Sequence, residues 1–222
     1  MKKVFEYLLS IPKSLFFCFR VLPFYQAVRI PIVIRYNVVI RNVGHISIKG
    51  PLEFGQCRLG FGTIGIIDKS KERTIWDVAG SVCFAGRVSI GPGSRIVVSN
   101  EGVLTFGDSF INTARICVIC YKKISFGYQV LISWDALIMD TDFHYIGMCD
   151  KMDNLIREKE IFIGNHVWIG CRTTILKGTF VPDNSVVASN AVVTKKFMEK
   201  SILLAGNPAQ IVKREIEWKF NL

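Results

Sequence analysis

Ile161-Phe-Ile-Gly-Asn-His-Val-Trp-Ile-Gly-Cys-Arg-Thr-Thr-Ile-Leu-Lys-Gly-Thr-Phe-Val-Pro-Asp-Asn-Ser-Val-Val-Ala-Ser-Asn-Ala-Val-Val193 decides the fold. Within it Ile163, Ile169, Ile175, Val181, Val187 and Val193 recur at every sixth residue. Val167, Thr173, Thr179, Ser185 and Ala191 keep a second register, mostly of small residues, four places on. A period of six matches neither the ~3.6 of a helix nor the ~2 of an ordinary strand. It fits a parallel β-helix, in which each hexad is one flat side, the branched residue enters the lumen and the small residue fits the turn between sides.

Upstream the pattern loosens but keeps a phrase: Val88-Ser-Ile90-Gly91, Leu104-Thr-Phe106-Gly107, Ile124-Ser-Phe126-Gly127 and Ile161-Phe-Ile163-Gly164, with Leu52-Glu-Phe54-Gly55 as an earlier copy. Each reads as two inward apolar residues followed by a glycine at a sharp turn. The phrase starts lie 16, 20 and 37 residues apart, as coils of three hexads with bulges and one insertion require. Phe126, Ile132 and Ile138 are again in six-step, yet the next register residue is Ile163. A charged loop, 139–160, must therefore leave the solenoid and return. Loops of that size in an economical repeat are usually functional.

The 222 residues are half apolar, enough for one domain with a large core and against disorder. The formal net charge of +10 is concentrated at the two ends, which attracts anions without selecting among them. Residues 1–28 mix basic and apolar types, but no apolar run reaches the roughly 18 residues of a membrane span, and no signal cleavage site stands out. The segment reads as an amphipathic cap over the open first coil, or as a peripheral attachment to an anionic inner leaflet. The expected division is a basic apolar cap over 1–36, a solenoid over 37–197 and a tail over 198–222. Seven cysteines without a framework read as reduced thiols of a cytoplasmic protein. His45 lies too many coils from His144 and His166 to share a metal with them, so none is expected. The basic ends lack the interleaved aromatics of a nucleic-acid groove.

Three phrases carry a resemblance: Ile163-Gly-Asn-His-Val-Trp-Ile-Gly170, Ala205-Gly-Asn-Pro-Ala-Gln-Ile-Val-Lys213 and Asp140-Thr-Asp-Phe-His144. Together they resemble the hexapeptide-repeat (left-handed β-helix) acyltransferases, in the branch that acetylates sugars, including capsular and lipopolysaccharide O-acetyltransferases. The resemblance covers roughly residues 85–214. It implies an all-β fold: a left-handed parallel β-helix with an inserted loop and a short helical C-terminal segment. It also implies a homotrimer, acetyl-CoA as co-substrate and a saccharide acceptor.

By the same resemblance His144 is the general base, a role that suits an imidazole with an unperturbed pKa of about 6.5. Asp142 is its candidate catalytic partner, with Asp140 read as a turn cap. Trp168 falls near the thioester arm, Cys171 and Ser189 along the CoA groove, and Thr194, Lys195, Gly206 and Lys213 among the CoA contacts. A lysine suits the phosphates as a point charge. On the acceptor side Asn112 is the nearest candidate for the family's sugar-touching asparagine, while Trp134, one hexad before the loop, reads either as a stacking platform for the sugar or as packing under the loop. Two departures stand out. Lys196-Phe-Met-Glu-Lys200 replaces the family's acidic residue and Pro-Pro turn, and a second basic position holds Gln210.

The expected function is acetyl-CoA-dependent O-acetylation of a sugar hydroxyl in a surface polysaccharide or its precursor. N-acetylation of an amino-sugar nucleotide and a non-enzymatic anion-binding scaffold are the alternatives.

Overall fold

The hexad residues go where their period sends them: Ile163, Ile169, Ile175, Val181, Val187 and Val193 are all fully buried in the computed structural model, which describes residues 2–62, 64–145 and 156–220. The small-residue register is buried as well. Thr173 Oγ1 bonds the Gly170 carbonyl at 2.8 Å, and Thr179 Oγ1 bonds the Val193 carbonyl at 3.0 Å, so hydroxyls at the corners satisfy backbone oxygens there.

Helix α1 (Lys2–Val21) and the short α2 (Phe24–Ala27) precede the solenoid. The first coil is β1 (Ile32–Ile34), β2 (Val39–Asn42) and β3 (His45–Ile48). The second is β4 (Cys57–Leu59), β5 (Ile75–Val78) and β6 (Ser81–Ala85), and the third β7 (Val88–Ile90), β8 (Arg95–Val98) and β9 (Val103–Gly107). The fourth is β10 (Phe110–Asn112), β11 (Cys117–Cys120) and β12 (Lys123–Phe126). The fifth is β13 (Leu131–Ile132), β14 (Leu137–Met139) and β15 (Ile161–Ile163), and the sixth β16 (Trp168–Ile169), β17 (Thr174–Leu176) and β18 (Phe180–Val181). After β19 (Val186–Val187) and β20 (Val192–Val193) the chain ends its ordered turns with β21 (Leu203–Gly206) and β22 (Ala209–Lys213).

From β1 to β21 the strands pair in parallel with those one coil on, which makes three sheets along a triangular prism. Sheet A runs β1-β4-β7-β10-β13-β16-β19-β21-β22, sheet B β2-β5-β8-β11-β14-β17-β20, and sheet C β3-β6-β9-β12-β15-β18. This is the parallel β-helix that the repeat implies, and the left-handed form that the resemblance implies.

The lumen is filled by in-register ladders. Phe84, Phe106 and Phe126 stack along sheet C with centroids 5.7 and 5.4 Å apart, and Phe110 meets Phe106 edge-on at 4.7 Å. Burying one such ring is worth about 2–3 kcal/mol. The ladder turns aliphatic at Ile163 and Val181.

Glycines in the recurring phrase answer to the next coil. A Cβ on Gly127 would lie 2.4 Å from Asn165 Oδ1, and one on Gly164 2.5 Å from Asp183 Oδ1. Those oxygens accept the amide protons of Tyr128 and Asn165, at 3.1 and 2.8 Å, and so tie one coil to the next.

Several expectations need correction. The C-terminal segment is not helical: residues 203–213 form an antiparallel β-hairpin on sheet A. The helical terminus is the first one. The first coil begins at Ile32, inside the expected 1–36 cap, because β1 is already paired with β4. The tail from 198 likewise continues the solenoid, through β21 on β19. Val88–Ile90 belongs to sheet A, whereas its look-alikes at 104, 124 and 161 belong to sheet C. Leu52–Gly55 is a turn with Phe54 exposed, not a strand.

Candidate active site

The inserted arm starts where β14 ends, at the corner between sheets B and C. Asp140 is fully buried there, and its carboxylate accepts the amide protons of Tyr121, Lys122 and Lys123 at 2.7, 2.9 and 2.8 Å. Burial pushes its pKa up, against the pull of those donors. The two legs of the arm then pair: Lys159 N–H donates to the Asp140 carbonyl at 3.0 Å, and Asp142 N–H to the Arg157 carbonyl at 3.2 Å. Phe143 takes a positive φ of 61° and packs edge-on against Tyr121 at 5.2 Å. His144 follows, exposed, on this fixed foot. The stretch 146–155 of the expected loop lies outside the described residues.

Asp142 does something other than expected. Its carboxylate forms an ion pair with Lys177 of the next coil, whose ammonium also donates to the carbonyls of Ile156 at 2.8 Å and Arg157 at 3.3 Å. Asp142 therefore anchors the arm. Lys177, absent from the sequence reading, is the residue that clamps both legs.

The outer face of sheet A carries an in-register column: Arg58, Ser89, Ile111, Leu131, Trp168, Val186 and Leu203. Trp168 remains 39% exposed and donates its indole N–H to Ser133 Oγ at 3.3 Å. The chain end returns along this face. Trp218 stacks on His166 at 4.2 Å and 15°, and donates its own N–H to the His166 carbonyl at 2.9 Å. His166 itself stands at a corner with φ 53°. Farther up the column an open cleft of about 310 Å³ is lined by Arg58, Arg87, Ser89, Ser109 and Phe220.

The expected CoA contacts fall in two groups. Cys171 and Ser189 meet at 3.3 Å, sulfur to hydroxyl, at the corner between sheets A and B. Thr194 and Lys195 follow β20 at the corner between sheets B and C, which is the corner of the arm. The Lys195 ammonium is held at 3.0 Å by Gln210 Oε1, so the glutamine that replaces a base positions one. Gly206 lies at the tip of the β21–β22 hairpin with φ 99°, and Lys213 is exposed at its end. Trp134 is half-buried beside the A–B corner.

Asn112 is a correction. It is 2% exposed, its amide donates to the carbonyls of Ala114, Ile132 and Ser133, and its oxygen accepts from Gly91 N–H and Ser94 Oγ. With every hydrogen-bonding position used between coils, it has nothing to offer a sugar. Its irregular neighbourhood hides this in the sequence.

No family model matches the chain. Among curated proteins it is 29% identical over 140 residues to an uncharacterised 24.8 kDa protein in the cps region of Klebsiella pneumoniae, an alignment covering 63% of this chain and 61% of that one. It is 42% identical over 96 residues to a polysialic acid O-acetyltransferase of Neisseria meningitidis, covering 43% of this chain and 45% of the relative. The chain thus spans less than two thirds of the length of either relative. In structure, the polySia-specific acetyltransferase NeuO superposes with a TM-score of 0.53 over 85% of this chain and 78% of its own, at 24% identity. Over the matched stretch the chain is thus similar to a polysialic acid O-acetyltransferase, and its solenoid shares the fold of the polySia-specific acetyltransferase.

Proposed function

We propose that the protein is an acetyl-CoA-dependent O-acetyltransferase acting on a sugar hydroxyl of a surface polysaccharide or its precursor, with His144 as general base. The observation that carries this reading is an exposed imidazole held on a clamped foot, at the same corner of the prism as Thr194 and Lys195. Acetyl-CoA supplies the thioester carbonyl. His144 removes the hydroxyl proton as the sugar oxygen bonds to the carbonyl carbon, and delivers that proton to sulfur as the C–S bond breaks. Lys195 and Lys213 suit the cofactor's phosphates, and the small residues Cys171 and Ser189 leave room for its arm.

His144 and Trp168 stand on different sides of one prism. A neighbouring copy brings the corner of one chain against sheet A of another, so the active form is a homotrimer with its sites between chains. Arg58 and Arg87 line the same face, and Phe220 adds an aromatic surface, so an acidic saccharide is the acceptor that this cleft favours.

Two measurements test the reading. Acetyl-CoA is expected to raise the thermal midpoint in a concentration-dependent way, since it binds the folded state. His144→Ala is expected to keep that shift and lose about 100-fold or more in turnover. Unchanged turnover in the variant removes His144 from the mechanism, and no thermal shift at saturating ligand removes acetyl-CoA.

A further inference from the structure

Helix α1 is apolar on two sides: Phe17 is buried in the core and Tyr7 stacks on Phe61 at 4.7 Å, yet large apolar residues also face outward. Ser10, Ser14, Cys18 and Glu6 share the inward side. Ser10 Oγ accepts Tyr36 N–H at 3.1 Å, Ser14 Oγ accepts Ile34 N–H at 2.9 Å, and Cys18 Sγ donates to the Ile32 carbonyl at 3.3 Å, so one helix stripe closes the free edge of β1. Glu6 turns inward too, onto Arg35 and, at 2.6 Å, Lys69. The outward side carries Val4, Phe5, Leu8, Leu9, Phe16 and Phe19, with Phe16 68% and Phe5 63% exposed. At about 100° per residue all six fall within one half of the helix surface. Phe24, Tyr25 and Val28 extend the exposed apolar strip through α2. A continuous apolar strip of this kind marks a contact site, because water alone gives it no reason to be there.

Charge selects the occupant. Before Glu53 the sequence holds eight Lys and Arg and a single acid, Glu6, which is the inward one. Arg20 and Arg29 are exposed at the rim of the strip. A second copy of this face would bring like charges together. An anionic lipid surface matches both the apolar strip and its cationic rim. Among the described residues no helix is long and apolar enough to cross a membrane, so the contact is one of lying on the surface.

We infer that α1 and α2 lie in the interface of an anionic bilayer, with Phe5, Leu8, Leu9, Phe16 and Phe19 among the upper acyl chains and Arg20 and Arg29 at the phosphates. Because α1 follows the edge of β1, the strip points along the solenoid axis, and the coils stand up from the membrane on their N-terminal end. This placement does not rest on the transferase reading.

The test is co-sedimentation of the full chain with vesicles of phosphatidylcholine alone and of equimolar phosphatidylcholine and phosphatidylglycerol. Wild type is expected to bind the anionic vesicles about tenfold or more tightly than the neutral ones. Leu8→Gln combined with Phe16→Gln, both outside the packed face, is expected to lose about tenfold or more of that binding at an unchanged thermal midpoint. Should that variant unfold, Arg20→Gln and Arg29→Gln provide the second arm, each lowering binding about fivefold. Absence of wild-type binding overturns the inference, as does equal binding by folded variants. Self-association of wild type in sedimentation velocity that the Leu8/Phe16 variant abolishes also overturns it, because the face then closes on another copy.

Discussion

Asp142 gives its carboxylate to the Lys177 ammonium and not to the His144 imidazole. The aspartate nearest to the candidate base thus acts on the arm, and the arm places the base. A lysine one coil further on, bonded to both legs of the insertion, becomes a positioning residue for a histidine that it does not touch.

Lys177→Ala is accordingly expected to lower turnover by about tenfold to 100-fold, because a small displacement of a reacting group costs that much. The Michaelis constant for acetyl-CoA should stay near that of wild type, and Lys177→Arg should restore part of the turnover. Steady-state kinetics on the three proteins checks this. A rise in the Michaelis constant alone counts against a positioning role.

Lys213→Ala is expected to raise the Michaelis constant for acetyl-CoA about tenfold with little change in turnover, as loss of one charge-assisted phosphate contact predicts. Comparing acetyl-CoA with a truncated acetyl thioester lacking phosphates separates the outcomes: the variant and wild type should not differ with the truncated donor.

Phe106→Ala is expected to cost about 4 kcal/mol of stability, since Phe106 is fully buried and touches Phe84, Phe110 and Phe126 in one stack. Denaturant unfolding measures it. Phe162→Ala, in a stacked pair on the outer surface, should cost far less.

Two corner aspartates set the acid limit. Burial alone would raise Asp108 and Asp183, but the Arg87 N–H and Ser109 hydroxyl at the first, and the Asn165 N–H and Lys200 ammonium at the second, hold both carboxyls below the usual aspartate range. A carboxyl whose pKa is lower in the folded state stabilises the fold at pH above its unfolded value and loses that contribution as pH falls through the folded value. The thermal midpoint should therefore fall on acidification below about pH 4. Asp108→Asn with Asp183→Asn should flatten that part of the curve while lowering stability at neutral pH.

The last coils are legible in the sequence because their hexads run unbroken from Ile163 to Val193, and the lumen accepts only apolar side chains at that period. The arm is legible as a break in the same count. What misleads is the glycine phrase. Any side of the prism ends in a tight corner, so Val88–Gly91 looks like Leu104–Gly107 although they lie on different sheets, and the loop between β4 and β5 removes the count that would tell them apart. The contacts of Asn112 and Asp142 are hidden for a related reason. A polar side chain at a corner faces the coils above and below, and its partners, Ser94 for one and Lys177 for the other, follow from stacking and not from neighbours in the chain. Trp218 over His166 is a contact of the same kind.

The side chains of Ser10, Ser14 and Cys18 along β1 also decide how long the structure is. A parallel solenoid presents the same hydrogen-bonding edge at each end, and one copy stacked on the next would grow into a filament. Here the first edge of sheet A is occupied by a helix whose short polar side chains stand in for a strand, and at the far end β22 runs antiparallel to β21 and offers no parallel template. The parallel template is therefore covered at both ends of that sheet.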